Sequence, residues 1–234
     1  LLGTTDTPRT DLPLEPRPLA GEIDFILETA GRYLTHPPRR DDVRSAFAGL
    51  RPLLGAGGGS TAALSREHSI EVSAAGLVSV AGGKWTTYRK MAQDTLDLAI
   101  RYMHIPTKDC ITERYQIHGS RKNPDFSDPL YVYGTDADEI RNLVASSPAM
   151  AEKLHPDYAY TVGEVTWLVR NEMPRTLEDV LARRLRILFL DARAAMAMAP
   201  KVAGILATEW GKDETWTSAQ VKAFNEVASN YILN

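Results

Sequence analysis

The fold is constrained most by a strand, a glycine turn and a helix that follow one another directly between residues 77 and 103. Residues 77–80 form a short apolar run with β-branched side chains, which is typical of a buried strand. Gly82-Gly83 then provide the backbone freedom for a tight turn. From Tyr88 onward the apolar residues recur at helical spacing, so the sequence predicts a helix immediately after the turn.

Such a turn has a chemical use, because the N–H groups at the start of a helix lack partners within the helix. They offer positive potential to an anion or to an electron-rich ring edge, and Lys84 adds a full charge at this point. We expect Thr86 or Thr87 to cap the helix. A Gly-Gly pair before a helix is also common in ordinary β-α turns, so the residues alone leave a purely structural role open.

The bulk composition excludes several classes of protein. The chain has 234 residues, with 27 basic and 30 acidic side chains and a net charge of −3, which argues against a general nucleic-acid binder. The single cysteine, Cys110, excludes an intrachain disulfide framework, and we interpret it as structural rather than as part of a metal site. No apolar run approaches the ~20 residues that span a bilayer, which leaves peripheral membrane contact open.

A β-hairpin is predicted immediately before the glycine turn. Residues 69–73 and 77–80 are its strands, and residues 74–76 form the connecting turn. Further upstream, the glycine-rich residues 55–60 are interpreted as a flexible connector, because no helix starts directly after them.

Two arginines lie on either side of this connector. Arg51 and Arg66 each stand beside apolar residues, where an arginine usually lies on the surface with its aliphatic stem packed. The guanidinium group is also the side chain best suited to bind an oxyanion with two parallel hydrogen bonds. Neighbouring His68 is interpreted as structural.

The second half of the chain has a helical pattern after a linker. Residues 104–129 contain scattered prolines without a sustained period. Beyond them, helices are predicted from Asp136 and over residues 162–173, 177–198 and 218–231, in addition to an early helix over residues 22–34. For the longest of these helices, Thr176 with Asp179 predicts a capping box at the start and Pro200 predicts the end.

Charged side chains of this half are expected to form a structural network of ion pairs between helices. These residues are Glu164, Arg170, Glu172, Asp179, Arg183, Arg184 and Arg186. Trp210 and Trp216 are either core residues or part of a contact surface.

Three groups of motifs resemble FAD-dependent glycerol-3-phosphate dehydrogenases, and they occur in that family's order. The first is the glycine turn, Val80-Ala81-Gly82-Gly83-Lys84-Trp85-Thr86-Thr87-Tyr88-Arg89-Lys90. The second comprises Gly49-Leu50-Arg51-Pro52-Leu53 and Ser65-Arg66-Glu67-His68. The third resembles the family's helical carboxy-terminal domain and includes Gly163-Glu164-Val165, Asn171-Glu172-Met173 and Arg175-Thr176-Leu177-Glu178-Asp179-Val180-Leu181. The resemblance covers nearly the whole chain.

The resemblance implies an enzyme with FAD as its cofactor. The reaction would oxidise sn-glycerol 3-phosphate to dihydroxyacetone phosphate by hydride transfer to the flavin, with quinone as the electron acceptor. The expected location is cytoplasmic, at the inner face of the cell membrane. The substrate-binding residues would be Arg51, Arg66 and Lys84. The flavin-contacting residues would be Gly82, Gly83, Lys84, Trp85 and Thr86.

One departure from the family pattern limits this expectation. The sequence lacks the G-x-G-x-x-G fingerprint that holds the FAD pyrophosphate, and it does not begin with Met. We therefore expect a segment of a longer chain that is inactive alone. Two alternatives are an oxidase that uses oxygen and a helical part that acts mainly as an interaction module. The sequence identifies neither the catalytic base nor the oligomeric state.

The predicted fold class is α/β plus all-α. Residues 1–103 would supply the closing part of an FAD-binding and substrate lobe, whose marginal strands lack partners. Residues 104–129 would be the linker, and residues 130–234 the helical carboxy-terminal domain.

Overall fold

A computed structural model describes residues 1–51 and 68–233. Its contacts divide the chain into two compact units. The hairpin unit consists of residues 6–12 and 50–117, and the helical unit of residues 1–5, 13–49 and 118–234. The division at residues 103 and 129 that the sequence predicts stays a prediction.

The described residues form seven α-helices and two β-strands. In chain order these are α1 (Ala20–Gly31), β1 (His68–Val72), β2 (Val78–Gly82), α2 (Tyr88–Tyr102), α3 (Ala137–Ala145), α4 (Val162–Asn171), α5 (Ile187–Leu190), α6 (Ala192–Trp210) and α7 (Glu214–Ala228). Short 3-10 turns cover Arg40–Asp42, Trp85–Thr87, Tyr131–Asp136 and Ser229–Tyr231, and one π-helical turn covers Asp179–Arg184. The predicted class, α/β plus all-α, is confirmed in a small two-stranded sheet and a mostly helical remainder.

The predicted hairpin is confirmed in the hairpin unit. Strands β1 and β2 are antiparallel, with His68 opposite Gly82 and Val72 opposite Val78. The turn is closed by the Ser73 N–H, which donates to the Leu77 carbonyl at 2.9 Å. It also places Gly76 at a φ of +82°, which favours glycine. Strand β1 begins and ends one residue earlier than predicted. Strand β2 begins one residue later and ends two residues later, at Gly82.

Helix α2 begins at Tyr88, as predicted, and packs on β2. No described residue of the hairpin unit is fully buried, and its apolar side chains are widely exposed, as at Leu77 (67%) and Leu96 (61%). Within the described residues the sheet has only two strands, so each has an open edge. Among its described residues, the hairpin unit therefore presents apolar surface and unpaired strand edges.

The hydrophobic core lies in the helical unit, where α6 contributes the largest share of the buried side chains. Helix α4 lies close to α3 because Gly163 has no side chain. A Cβ at this position would be only 2.9 Å from Val144 Cγ2 and 3.1 Å from the Met150 carbonyl oxygen. Glycine thus allows the two helices to approach at the point where α4 begins.

The single long helix predicted over residues 177–198 is wrong. The chain leaves the helical conformation at Arg186, with a φ of +62°, and again at Asp191, which caps α6 by accepting the Ala194 N–H at 2.9 Å. Pro200 lies inside α6, which continues to Trp210. The apolar periodicity runs across the break because both parts bury the same face in one core. The capping box is confirmed, with the Thr176 N–H donating to Asp179 at 3.0 Å.

Within the helical unit, residues 44–47 pack against the segments around α5 and the end of the chain. The Ala46 N–H donates to the Tyr231 carbonyl at 2.8 Å, and the Ser45 hydroxyl donates to the Leu188 carbonyl at 2.7 Å. The Phe47 ring meets the Phe189 ring edge-on, with centroids 4.9 Å apart. Among the described residues, no helix is both long enough and apolar enough to cross a membrane.

Candidate functional site

The glycine turn requires glycine at two successive positions. Gly82 and Gly83 have φ values of +76° and +77°, a region that other residues rarely adopt. A Cβ on Gly83 would lie 2.4 Å from Met91 Sδ and 3.3 Å from His68 Cβ. The turn therefore lies directly against α2 and β1, and its path is set by those contacts.

Two backbone donors become available just after this turn. The Thr87 N–H donates to the Lys84 carbonyl at 2.9 Å, and the Tyr88 N–H donates to the Trp85 carbonyl. The N–H groups of Trp85 and Thr86 make no hydrogen bond with any other described residue. They are the donors that the start of a helical segment leaves unpaired. An anion or an electron-rich ring edge fits this position.

The predicted threonine cap has a different role. Thr87 is the residue before α2, but its hydroxyl oxygen accepts the Lys84 N–H at 3.2 Å and its hydroxyl donates to the Lys84 carbonyl at 3.0 Å. It makes no capping bond to α2. The side chain stabilises the turn instead, because the 3-10 segment Trp85–Thr87 separates Lys84 from the helix.

A cation and an aromatic ring accompany the two donors. The Lys84 side chain is exposed and forms no ion pair with a described carboxylate. Trp85 is 86% exposed and stacks on Tyr88, with ring centroids 5.5 Å apart. Exposed tryptophan with a free cation beside it is typical of a surface that another group contacts.

The predicted site residues are only partly brought together. Gly82, Gly83, Lys84, Trp85 and Thr86 form one continuous turn. Arg51 belongs to the same hairpin unit, where its Nη1 is 3.1 Å from an Asp6 carboxylate oxygen and its side chain is 49% exposed. Arg66 and the glycine-rich connector lie outside the described residues. The roles of all these residues stay predictions.

His68 connects β1 to α2, which the sequence does not indicate. Its Nε2 is 3.1 Å from Asp94 Oδ2 on α2, and Lys90 Nζ is 2.8 Å from the other oxygen of Asp94. The hydrogen bonds from Lys90 and His68 lower the pKa of Asp94. The four-residue spacing of Lys90 and Asp94 on a helix was a visible signal for half of this cluster. The contact with His68 depends on the hairpin register.

The ion-pair network predicted for the helical unit is present in part. Arg183 pairs with Asp179 at 2.9 Å and with Glu178 at 2.6 Å, and Arg184 Nε lies 3.7 Å from Glu172 Oε2. Arg170 pairs instead with Glu209 on α6, at 2.7 Å.

Glu164 does not belong to this network. Its carboxylate is buried and accepts the Tyr133 hydroxyl at 2.7 Å, and burial raises its pKa. Trp210 and Trp216 meet edge-on at 5.7 Å and pack against the core, which favours the first of the two roles considered for them.

Cys110 is exposed rather than packed in a core. Its thiol lies 3.0 Å from the Thr112 hydroxyl and 4.0 Å from Arg89, and the hydrogen bond with Thr112 lowers its pKa. Across residues 1–51 and 68–233, no group of three or more His, Cys, Asp or Glu side chains is placed to hold a metal ion.

Comparison with known proteins gives the family. A sequence model described as the C-terminal domain of alpha-glycerophosphate oxidase matches residues 52–217. A probable mitochondrial glycerol-3-phosphate dehydrogenase of Caenorhabditis elegans is 36% identical over 99% of this chain and 35% of its own length. The mitochondrial enzyme of Arabidopsis thaliana is 32% identical over 97% of this chain and 43% of its own. The chain thus spans about a third to two fifths of these curated relatives.

A solved structure confirms the fold. The crystal structure of a glycerol-3-phosphate dehydrogenase from Bacillus halodurans, complexed with FAD, superposes with a TM-score of 0.70. It is 24% identical in sequence, and the match covers 93% of this chain and 46% of that one. The resemblance stated from the sequence motifs is confirmed at the level of the family. The chain belongs to the family of the C-terminal domain of alpha-glycerophosphate oxidase.

Proposed function

We propose that this chain is the carboxy-terminal portion of an FAD-dependent enzyme that oxidises sn-glycerol 3-phosphate to dihydroxyacetone phosphate. The observation that carries the proposal is the glycine turn, which places Lys84 and the unpaired N–H groups of Trp85 and Thr86 at one position. The proposal is supported by the similar proteins, which are named glycerol-3-phosphate dehydrogenases, and one of which was solved in complex with FAD. We call the polypeptide that contains these residues the parent polypeptide.

The turn fits the electron-rich edge of a flavin. When bound, FAD would accept a hydride from the substrate carbon that carries the secondary hydroxyl. The pyrimidine side of its ring gains negative charge on reduction. The Trp85 and Thr86 N–H groups would donate to that side, and the positive charge of Lys84 would stabilise it. Gly82 and Gly83, with φ values of +76° and +77°, allow the backbone to make the tight turn that presents these donors.

The substrate carries a phosphate ester, for which cationic side chains are needed. We propose that Arg51, Arg66 and Lys84 bind the phosphate and hydroxyl oxygens of sn-glycerol 3-phosphate. Arg51 uses one nitrogen to bind Asp6, which orients its guanidinium group. The guanidinium has five N–H donors, so this contact leaves others for an oxyanion.

We further propose that the electrons pass to quinone at the cytoplasmic face of the cell membrane, and that the segment alone is inactive. The curated relatives are named as mitochondrial proteins. Oxygen is the alternative acceptor, and the family description names an oxidase. Oxygen consumption by the purified parent polypeptide, compared with reduction of a soluble quinone, distinguishes the two. Rapid hydrogen peroxide production with no quinone reduction would contradict the proposal that quinone is the electron acceptor.

Replacing Lys84 with methionine in the parent polypeptide tests the proposed site. We expect kcat/KM for sn-glycerol 3-phosphate to fall by about 10²- to 10³-fold, as when one donor is removed from a charge-stabilising site. Lys84→Arg should retain part of the activity because it keeps the charge. Lys108→Met is the matched control, because Lys108 is an exposed lysine of the same unit outside the turn. Equal, small losses in Lys84→Met and Lys108→Met would exclude Lys84 from the site.

A further inference from the structure

A polar cluster of His68, Lys90 and Asp94 joins β1 to α2. His68 is paired with Gly82 in the hairpin register, and its Nε2 reaches Asp94 at 3.1 Å. The two residues are 26 positions apart in the chain. Their contact therefore links β1 to α2 across the rest of the hairpin and the glycine turn. Lys90 holds the second Asp94 oxygen at 2.8 Å.

The contacts of Gly83 connect this cluster to the turn. The side chains of His68 and Met91 bracket the position that a Cβ on Gly83 would occupy, at 3.3 Å and 2.4 Å respectively. His68 therefore lies close to Gly83, and it is paired with the preceding residue, Gly82, in the hairpin. Lys84 and the two free N–H groups follow Gly83 immediately in the chain.

The polar cluster matters because few buried contacts stabilise the hairpin unit. No described residue of the hairpin unit is fully buried, so the apolar contribution to its local stability is small. The side chains of His68 and Asp94 are only 22% and 30% exposed, which makes them among the better shielded polar groups of the unit. A half-buried hydrogen bond to a carboxylate is stronger than a surface pair.

We propose that His68 and Asp94 are positioning residues for the site: their hydrogen bond fixes the glycine turn against α2 and thereby sets the position of Lys84 and of the Trp85 and Thr86 N–H groups. This inference rests on the proposed function, since it assigns to the pair an effect on the flavin that the turn would contact. The pair acts only through the turn and touches neither substrate nor flavin.

The first test uses the 234-residue chain and needs no cofactor. Amide hydrogen exchange is measured at Lys84 and Thr87, whose N–H groups are bonded within the turn. His68→Ala should speed exchange at both positions at least about fivefold, and His68→Gln, whose amide can donate to Asp94, should restore much of the protection. His118→Ala is the control, because His118 also pairs with an aspartate, Asp136, at 2.7 Å, but in the helical unit. Unchanged exchange in His68→Ala would overturn the proposal.

The second test uses the flavin-loaded parent polypeptide. His68→Ala and Asp94→Ala should each lower kcat about tenfold, with a smaller change in KM, because misplaced charge-stabilising groups act on the reaction more than on binding. The equilibrium constant for reduction of the bound flavin should fall about tenfold. This is a shift of its reduction potential by about 30 mV to a more negative value, for a two-electron couple. The double variant should be no worse than either single one.

The outcomes separate this inference from the proposed function. A potential unchanged in His68→Ala, with only the melting temperature lowered, would show a merely structural pair and overturn the inference. If sn-glycerol 3-phosphate fails to reduce the flavin of the unaltered polypeptide, the proposed function fails instead. The exchange measurement then still decides whether the pair positions the turn.

Discussion

Replacing Gly134 with alanine is expected to lower the free energy of unfolding by about 3–5 kcal/mol. Gly134 has a φ of +56° and a ψ of −120°, a conformation that is essentially restricted to glycine. A Cβ at this position would lie 1.7 Å from the carbonyl oxygen of Gly119 and 2.8 Å from its carbonyl carbon. Both neighbours are backbone atoms, and that same oxygen accepts the Thr135 N–H at 3.2 Å. The segment therefore has no side chain that can move aside.

The matched control is Gly204→Ala. Gly204 lies inside α6, and a Cβ there would meet no atom within 4 Å. The same substitution should raise the stability by about 0.5–1 kcal/mol, because alanine loses less backbone entropy in a helix. Urea unfolding of both variants measures the difference. A Gly134→Ala variant as stable as the unaltered chain would show that the close contact with Gly119 is absent in solution.

The second large effect is expected at the buried pair of Tyr133 and Glu164. Removing the Tyr133 hydroxyl by Tyr133→Phe deprives a buried carboxylate of its donor, which should cost about 1.5–3 kcal/mol at neutral pH. In a Glu164→Gln background the acceptor is neutral, so the same change should cost about 0.5–1.5 kcal/mol. The difference is the coupling between the two groups, and a double-mutant cycle in urea measures it.

The pair also predicts a pH dependence. Burial raises the pKa of Glu164 above its value in the unfolded chain, so the folded state binds a proton more readily. Its contribution to stability is fully present below the unfolded pKa and is lost as the pH rises through the raised folded pKa. Glu164→Gln should therefore flatten the dependence of stability on pH above the usual titration range of a carboxyl group. An identical slope in the variant would show that Glu164 is solvated.

Much of the fold is predictable where the sequence signal is local. The start of α2 at Tyr88 follows from a glycine turn and an immediate helical period, and the hairpin follows from two short apolar runs around Ala74-Ala75-Gly76. Helices α3 and α4 have clear apolar faces. These elements were predicted because neighbouring residues carry the information.

The remainder depends on tertiary context. The helix breaks at Arg186, where the sequence has neither glycine nor proline to predict a break. The residues on either side of this left-handed position, Leu185 and Ile187, are buried in the core. Pro200 is exposed, and the helix α6 that contains it is held in the core by other residues, such as Met198, Ala199 and Val202. At the site, the five turn residues are contiguous in sequence and could be named from it. The contacts of Arg51 with Asp6 and of His68 with Asp94 join distant segments, which periodicity does not encode.

The most direct test of the central claim is the visible absorbance of the purified parent polypeptide, recorded before and after anaerobic addition of sn-glycerol 3-phosphate. We predict a flavin band near ~450 nm that is bleached by this substrate, whereas the 234-residue chain alone should retain no flavin. Absence of the band after reconstitution with FAD, or a bound flavin that stays oxidised in the presence of sn-glycerol 3-phosphate, would contradict the proposed function.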